Sequence, residues 1–245
     1  MSTSPSLGYP APSDRDFRIV PELEKYVVTT RTALAWRIHS HNAKTGKAYA
    51  PVFFSNAEGS RWDFQAQSSG ASVVNVDGAL CVGHTFTAAL IEVFGKQWPT
   101  VLPPRGTASA SYLNQRVLTQ DDITFKYATR LHIPAGRKLF DLTAAGALSS
   151  VGADAAITTT KEYASSREWS RWFFQCRNID GLIYSSRPGG AQLRNYVLFN
   201  RPGLQGSLVG TAGKMRALVD WDIKLTDACH ELNVIVLPKS VPYAP

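Results

Sequence analysis

Residues 180–187 and 196–199 predict two β-strands joined by a polar, glycine-bearing loop, and this pair constrains the fold more than any other feature. The first segment ends in two serines and an arginine, and the second is an apolar run. Such segments, bounded by glycine and polar residues, are typical of strands. Because loops beside strand ends present polar groups to ligands on a rigid scaffold, Ser186 and Arg187 are candidate site residues.

A further strand is predicted earlier in the chain, where Trp36 and Ile38 alternate with Arg37 and His39. This period of two is typical of a half-buried strand, and it directs Arg37 away from the core side. Further strands are predicted at residues 80–82, 129–133, 138–142, 218–223 and 232–237. A turn at residues 134–136, which contains proline and glycine, joins the second and third of these.

Helical spacing predicts three helices. Thr85 is placed to cap the first, which runs through residues 86–93 and carries Glu92 at the edge of its apolar stripe. The second and third are predicted at residues 144–151 and 166–177. The aromatic residues of the third helix lie at helical spacing and are expected in the core.

The predicted strands outnumber the helices and follow no regular alternation with them. This order favours an α+β domain with one mixed sheet over a parallel doubly wound sheet. A chain of 245 residues with 44% hydrophobic residues can bury a large core, and no shift in composition divides it. We therefore expect a flexible lead-in over residues 1–15 and a single domain over residues 16–245.

Composition excludes several classes of protein. No apolar segment reaches the length of about 20 residues that a membrane span requires, and the first residues contain no export signal. Three widely spaced cysteines form neither a zinc ribbon nor a disulfide framework, which favours the reducing cytoplasm. The net charge of +7 is scattered, so a nucleic-acid partner is disfavoured, whereas a small phosphorylated ligand is compatible with it.

The familiar catalytic and nucleotide-binding motifs are missing. The sequence has no GxGxxG, no GxxxxGK[ST], no HExxH and no GxSxG. His39 and His41 form a pair that could ligate a metal, but no partner at usable spacing stands out, so no metal site is expected. Asp121 and Asp122 fit the start of a helix better than a catalytic carboxylate pair.

Six segments taken together resemble the RES domain family. They lie in the family's order and spacing between residues 31 and 200, at residues 36–38, 60–62, 80–94, 139–143, 168–172 and 180–199. The family is named for an arginine, a glutamate and a serine. In this sequence these residues correspond to Arg37, Glu92 and Ser186.

The resemblance implies a fold similar to the ADP-ribosyltransferase toxins and an activity that breaks the bond between nicotinamide and ribose in NAD. Many relatives are toxins of toxin–antitoxin pairs, in which a helical, Xre-like antitoxin blocks the cleft. Some relatives use phosphate rather than water as the acceptor. NAD is then the substrate and no further cofactor is implied, while self-association is left open. Transfer of ADP-ribose to a protein and a silent NAD-binding module remain alternatives.

The chemistry of NAD cleavage suits these residue types. Positive charge develops on the ribose, so a carboxylate such as Glu92 stabilises the transition state. Nicotinamide leaves as a neutral molecule, which fits a site with only one obvious carboxylate. The fork geometry of guanidinium suits the pyrophosphate, for which Arg37 and Arg61 are the main candidates and Arg187 is a further one.

The remaining predicted site residues contact the ribose or a ring. Ser186 offers a hydrogen bond, while Trp62 or Tyr184 offers a surface for stacking. Without the family pattern, these residues have ordinary alternatives: Ser186 belongs to a turn and the two aromatic residues to the core. Relatives commonly carry a tyrosine eleven positions before the glutamate, where this chain has Cys81. The loss of that tyrosine puts the rate or the substrate preference in doubt.

Overall fold

The computed structural model describes residues 21–41, 45–55, 61–63, 78–95, 116–159, 163–185 and 193–237, and all structural statements below concern these residues. Its strands are β1 Val27–Thr29, β2 Ala33–Ser40, β3 Ala79–Gly83, β4 Arg116–Thr119, β5 Lys126–Ile133, β6 Lys138–Asp141, β7 Gly181–Ser185, β8 Arg194–Phe199, β9 Arg216–Ala217 and β10 Val234–Leu237. Its helices are α1 Phe86–Phe94, α2 Gln120–Thr124, α3 Ala147–Ser150, α4 Ala156–Thr159, α5 Ala164–Gln175, α6 Leu204–Thr211 and α7 Asp222–Leu232. Helices and a large mixed sheet confirm the predicted α+β class.

The main sheet has eight strands in the order β1-β6-β7-β8-β3-β2-β5-β9, and β10 pairs with β4 in a separate two-stranded sheet. Within the main sheet β6 and β7 are parallel, while the other neighbours are antiparallel. The strands predicted at residues 180–187 and 196–199 are found as β7 and β8, in which Ser185 lies opposite Arg194. That prediction is confirmed.

The two predicted strands around residues 134–136 exist, but they pair with other strands rather than with each other. The β1–β6 ladder places Val27 opposite Phe140, and the β2–β5 ladder places Ala33 opposite Ile133, a register shift of one residue. Between them, Gly136 N donates to Thr30 O at 2.9 Å. The two ladders therefore form one antiparallel ladder with a bend between them. This bend connects a half of the sheet with five strands (β1-β6-β7-β8-β3) to a half with three strands (β2-β5-β9).

Helices cover both faces of the sheet. Leu80 and Cys81 are neighbours on β3 but belong to different apolar clusters, because successive side chains of a strand point to opposite faces. One cluster holds the buried aromatic residues of α5, as the spacing in the sequence predicted, and another holds the buried leucines of α6. A third cluster joins Trp36 and Ile38 of β2 to α1 and α7.

One predicted strand is wrong. Residues 218–223 form the 3₁₀ helix Leu218–Trp221 and the start of α7. The buried residues of α7 recur at helical spacing, at Leu225, Ala228, Cys229 and Leu232, so its apolar stripe faces the core only as a helix. Ile223, which made the segment resemble a strand, is 77% exposed. None of the described helices is long and apolar enough to cross a membrane.

Helix α1 lies very close to the backbone of β3. Thr85 Oγ1 accepts a hydrogen bond from Ala88 N at 3.0 Å, which confirms the predicted cap. A Cβ atom added to Gly83 would lie 2.7 Å from Ala89 Cα, well inside contact distance. Helix α1 can therefore pack this closely against β3 only because residue 83 is a glycine.

The substitution Gly83→Ala should destabilise the protein by about 1–3 kcal/mol, because its methyl group meets backbone atoms that cannot move independently. Denaturant unfolding measures this change. Gly210→Ala is the matched control, since a Cβ at Gly210 meets nothing within 4 Å and alanine favours the α6 helix. Equal stability of Gly83→Ala and the unchanged protein would contradict the close packing of α1.

Candidate active site

The candidate site is a pocket that opens where β2 and β3 separate. The two strands are in register at one pair, Trp36 opposite Gly83, and then diverge. Strand β2 continues to Ser40 on one side of the gap, and β3 begins at Ala79 on the other. The resulting pocket has a volume of about 630 Å³ and is lined by both strands, α1 and residues 49–55.

Residues 49–55 close the wide end of this gap. Tyr49 N donates to Ser40 O at 3.0 Å, and Ser55 exchanges backbone hydrogen bonds with Ala79 at 2.9 and 3.0 Å. The segment therefore spans from the end of β2 to the start of β3. Its rings at Tyr49 and Phe53 line the pocket and are 52% and 54% exposed, so they form an aromatic rim at its mouth.

Arg37 bridges the narrow end of the gap. Its Nη1 donates to the carbonyl oxygen of Cys81 at 2.6 Å, in place of a backbone donor from β2. Cys81 itself lines the pocket and is 8% exposed. Arg37 is therefore bonded to the backbone of the position at which this chain departs from the family pattern.

Glu92 enters the pocket from α1, and side chains of the sheet hold it there. Asn195, which is fully buried, donates from Nδ2 to Glu92 Oε2 at 3.3 Å. Gly83, Asn195 and Tyr184 are neighbours across β3, β8 and β7. The missing side chain at Gly83 lets α1 approach, and the other two residues meet the carboxylate.

Tyr184 is a neutral partner of Glu92. Burial first, and then the negative charge of Glu92, raise the pKa of Tyr184 well above its ordinary value. The buried hydroxyl lies beside Glu92, although the contact falls short of standard hydrogen-bond geometry. The phenol keeps its proton at neutral pH and is available as a donor to the carboxylate.

A family model described as the RES domain matches residues 34–217. The chain belongs to the RES domain family. Among solved structures, the M. tuberculosis MbcT-MbcA toxin-antitoxin complex contains a chain that is 13% identical to this one, with a TM-score of 0.49. That similarity covers 83% of this chain and 94% of the other. No curated protein matches the sequence.

The RES domain brings two of its three name-giving residues, Arg37 and Glu92, into one pocket. Ser186 and Arg187 lie outside the described residues, so their roles stay predictions. Tyr184 is 2% exposed and its hydroxyl lies beside Glu92, and its role in stacking stays a prediction.

Arg61 and Trp62 are buried beside the pocket and do not line it. The Arg61 guanidinium donates to Ile157 O at 3.0 Å and to Ser166 Oγ at 3.2 Å. Trp62 is fully buried, and its ring packs against Tyr184 with the ring centres 5.1 Å apart. In this structure both side chains contact core residues, and their predicted roles in binding the pyrophosphate and a ring stay predictions.

Asp63 and His39 were not selected as site residues from the sequence. Asp63 is 5% exposed, accepts a hydrogen bond from Ser55 Oγ at 3.1 Å and lines the pocket. The pocket therefore holds a second carboxylate besides Glu92, the one that was obvious from the sequence. Two signals were present: Asp63 directly follows Trp62 in a family segment, and His39 shares the alternation of Arg37.

His39 is neutral at physiological pH. Burial first, and then the positive charge of Arg37, lower its pKa from 6.5 to about 4. Its Nε2 lies 3.3 Å from Thr129 Oγ1, whereas His41 stacks on Phe125. In the described part of the chain, no three His, Cys, Asp or Glu side chains are grouped to hold a metal ion.

The burial of neutral His39 makes stability depend on pH. Between pH 6.5 and pH 4 the unfolded chain binds more protons at this residue than the folded protein, so stability falls as the pH falls. His39→Gln should reduce this loss by at most about 3 kcal/mol. Denaturant unfolding at pH 7 and pH 4 measures the difference, with the exposed His230→Gln as control. The same pH dependence of stability in His39→Gln and the unchanged protein would show that His39 does not cause this loss of stability.

Proposed function

We propose that this RES domain binds NAD in the pocket between β2 and β3 and cleaves the bond between nicotinamide and ribose, as a toxin-like enzyme. One observation carries the proposal: Arg37 and Glu92, which are far apart in the sequence, line one pocket. Buried Asn195 donates a hydrogen bond to this carboxylate, and the buried hydroxyl of Tyr184 lies beside it. Such supporting contacts are typical of a catalytic group and unusual for a solvated helix residue.

The pocket suits a dinucleotide in size and chemistry. Its volume of about 630 Å³ lies within the range of small-molecule sites. Arg37 offers a guanidinium to phosphate oxygens, and the exposed rings of Tyr49 and Phe53 offer apolar faces to a base or to nicotinamide. A guanidinium, a carboxylate and two aromatic rings together favour a ligand that has both phosphate groups and aromatic rings.

The proposed reaction breaks the bond from ribose C1′ to the nicotinamide nitrogen, and the electron pair leaves with neutral nicotinamide. The ribose becomes positively charged, and Glu92 stabilises that charge. A water or phosphate oxygen then bonds to C1′, and a water acceptor must lose a proton. Asp63 is the second carboxylate among the described residues that line the pocket, and it is the candidate to receive this proton.

Glu92→Gln should lower the rate of nicotinamide release by about 10²–10³-fold, because the amide keeps the shape of the carboxylate but loses its charge. The experiment follows free nicotinamide from NAD in water and in phosphate buffer. Glu24→Gln is the matched control, since this glutamate is exposed in the 3₁₀ helix Pro21–Tyr26. Equal release by Glu92→Gln and Glu24→Gln, or no release by the unchanged protein, would refute the proposal.

Asn195→Asp should lower the kcat of nicotinamide release about tenfold, because it replaces the amide donor to Glu92 with a second negative charge at the 3.3 Å contact. The KM for NAD should change little, because Asn195 acts through Glu92. Nicotinamide release over a range of NAD concentrations measures both values. An unchanged kcat in a folded variant would show that Asn195 does not position Glu92.

A second candidate function is binding of NAD without turnover. The observation that favours it is Cys81, which lines the pocket where relatives commonly carry a tyrosine. Calorimetry that detects NAD binding, together with no nicotinamide release, would select this function. Radiolabel from NAD that stays on a protein would instead indicate transfer of ADP-ribose.

The family resemblance also leads us to propose a helical, Xre-like antitoxin as a partner. Such a partner would cover the pocket mouth, where the rings of Tyr49 and Phe53 are half exposed. The three described cysteines are free thiols, which fits the reducing cytoplasm in which such pairs act. The product of a neighbouring reading frame should then bind the protein and block nicotinamide release.

A further inference from the structure

The pocket has a second positively charged end beyond Arg37. Lys126 begins β5 and lies opposite Ser40 of β2 in the ladder. Both residues line the pocket, and Lys126 Nζ donates to Ser40 Oγ at 2.7 Å. Arg37 and Ser40 are three residues apart on β2, which places their backbones about 10 Å apart along the strand.

Lys126 is half-buried, and among the described residues its ammonium donates a hydrogen bond to a neutral hydroxyl, that of Ser40. Burial lowers the pKa of this lysine, while Asp122 acts in the opposite direction. Within the described ranges, no carboxylate reaches ion-pair distance of Lys126. A bound anion would therefore offset the cost of burying this charge.

The groups at this end suit a phosphate. An ammonium acts as a point charge for phosphate oxygens, and the Ser40 hydroxyl can donate a second hydrogen bond once an anion draws Lys126 away. The backbone of Tyr49 is bonded to Ser40 O, so the aromatic rim begins beside Lys126. A phosphate held here lies next to a stacking surface, at the far end of β2 from Arg37.

We propose that Lys126 and Ser40 form a phosphate-binding subsite at the wide end of the pocket. The phosphate comes either from the dinucleotide itself or from free inorganic phosphate. The inference rests on the proposed function, because it assigns the far end of an NAD pocket. It makes Lys126 a residue that sets substrate affinity and leaves the chemical step to Glu92.

The first test is calorimetry with two probes, ADP-ribose and inorganic phosphate. Lys126→Gln should weaken the binding of one probe roughly tenfold, and Lys126→Arg should restore most of it. A loss for ADP-ribose assigns the subsite to the dinucleotide, and a loss for inorganic phosphate alone assigns it to the free ion. Lys138→Gln is the matched control, because it removes the same charge from an exposed lysine of β6.

Ser40→Ala provides a second, milder variant, which removes only the hydroxyl that orients Lys126. It should weaken the same probe by roughly threefold, a smaller loss than for Lys126→Gln. Unchanged affinity of Lys126→Gln for both probes would overturn the subsite. Failure of the unchanged protein to bind either probe would also overturn it.

Kinetics separate the subsite from the proposed function. If the unchanged protein releases nicotinamide, Lys126→Gln should raise the KM for NAD or for phosphate and leave kcat nearly unchanged, because the contact is made equally in the bound and transition states. If binding depends on Lys126 but no nicotinamide is released, the subsite stands and the proposed cleavage fails. If nicotinamide is released and Lys126→Gln matches the unchanged protein in every parameter, the cleavage stands and the subsite fails.

Discussion

The separation of β2 from β3 is the constraint on which the rest of this structure depends. Backbone groups at the inner edges of two diverging strands lose their ladder partners and need others. Arg37 supplies one of them, through its bond to the Cys81 carbonyl, and residues 49–55 supply others at Ser40 and Ala79. The two halves of the sheet remain joined at Trp36 and through the bend between β1 and β2.

The walls of this pocket that carry Arg37 and Glu92 are formed by strands and a helix. One wall is β2, and the other combines β3 with α1, which lies low over Gly83. Glu92 is thereby brought within reach of Asn195, whose amide is fully buried in the sheet. The carboxylate and the guanidinium thus come from the two sides of one gap, and neither depends on a long loop for its position. In the proposed function, Lys126 at the wide end sets the affinity for substrate, and Glu92 at the narrow end stabilises the transition state.

Much of this arrangement follows from local patterns in the sequence. The alternation around Trp36 predicted a strand, Thr85 predicted a helix cap, and the segments at residues 180–187 and 196–199 predicted two strands, which are found as β2, the cap of α1, and β7 and β8. The family pattern selected Arg37 and Glu92, which the fold places in one pocket. These features depend on neighbouring residues or on spacing that the family shares.

The features that sequence reasoning missed depend on contacts between distant segments. Asp63 reaches the pocket because Arg61 and Trp62 are anchored among residues of α4 and α5, about a hundred positions later in the chain. Lys126 enters through its register with Ser40, which no local pattern reveals. The false strand at residues 218–223 has a related cause, since the burial of α7 against α1 decides its conformation.

Hydrogen exchange with and without ADP-ribose tests the central claim that ligand binds in the gap between β2 and β3. Binding in the gap should slow exchange at backbone amides of residues 37–40, 49–55 and 79–83, which border it. Exchange in α6 and β10, which lie elsewhere on the fold, should not change. Protection that appears in α6 or β10 while the residues of the gap exchange as before would contradict the account.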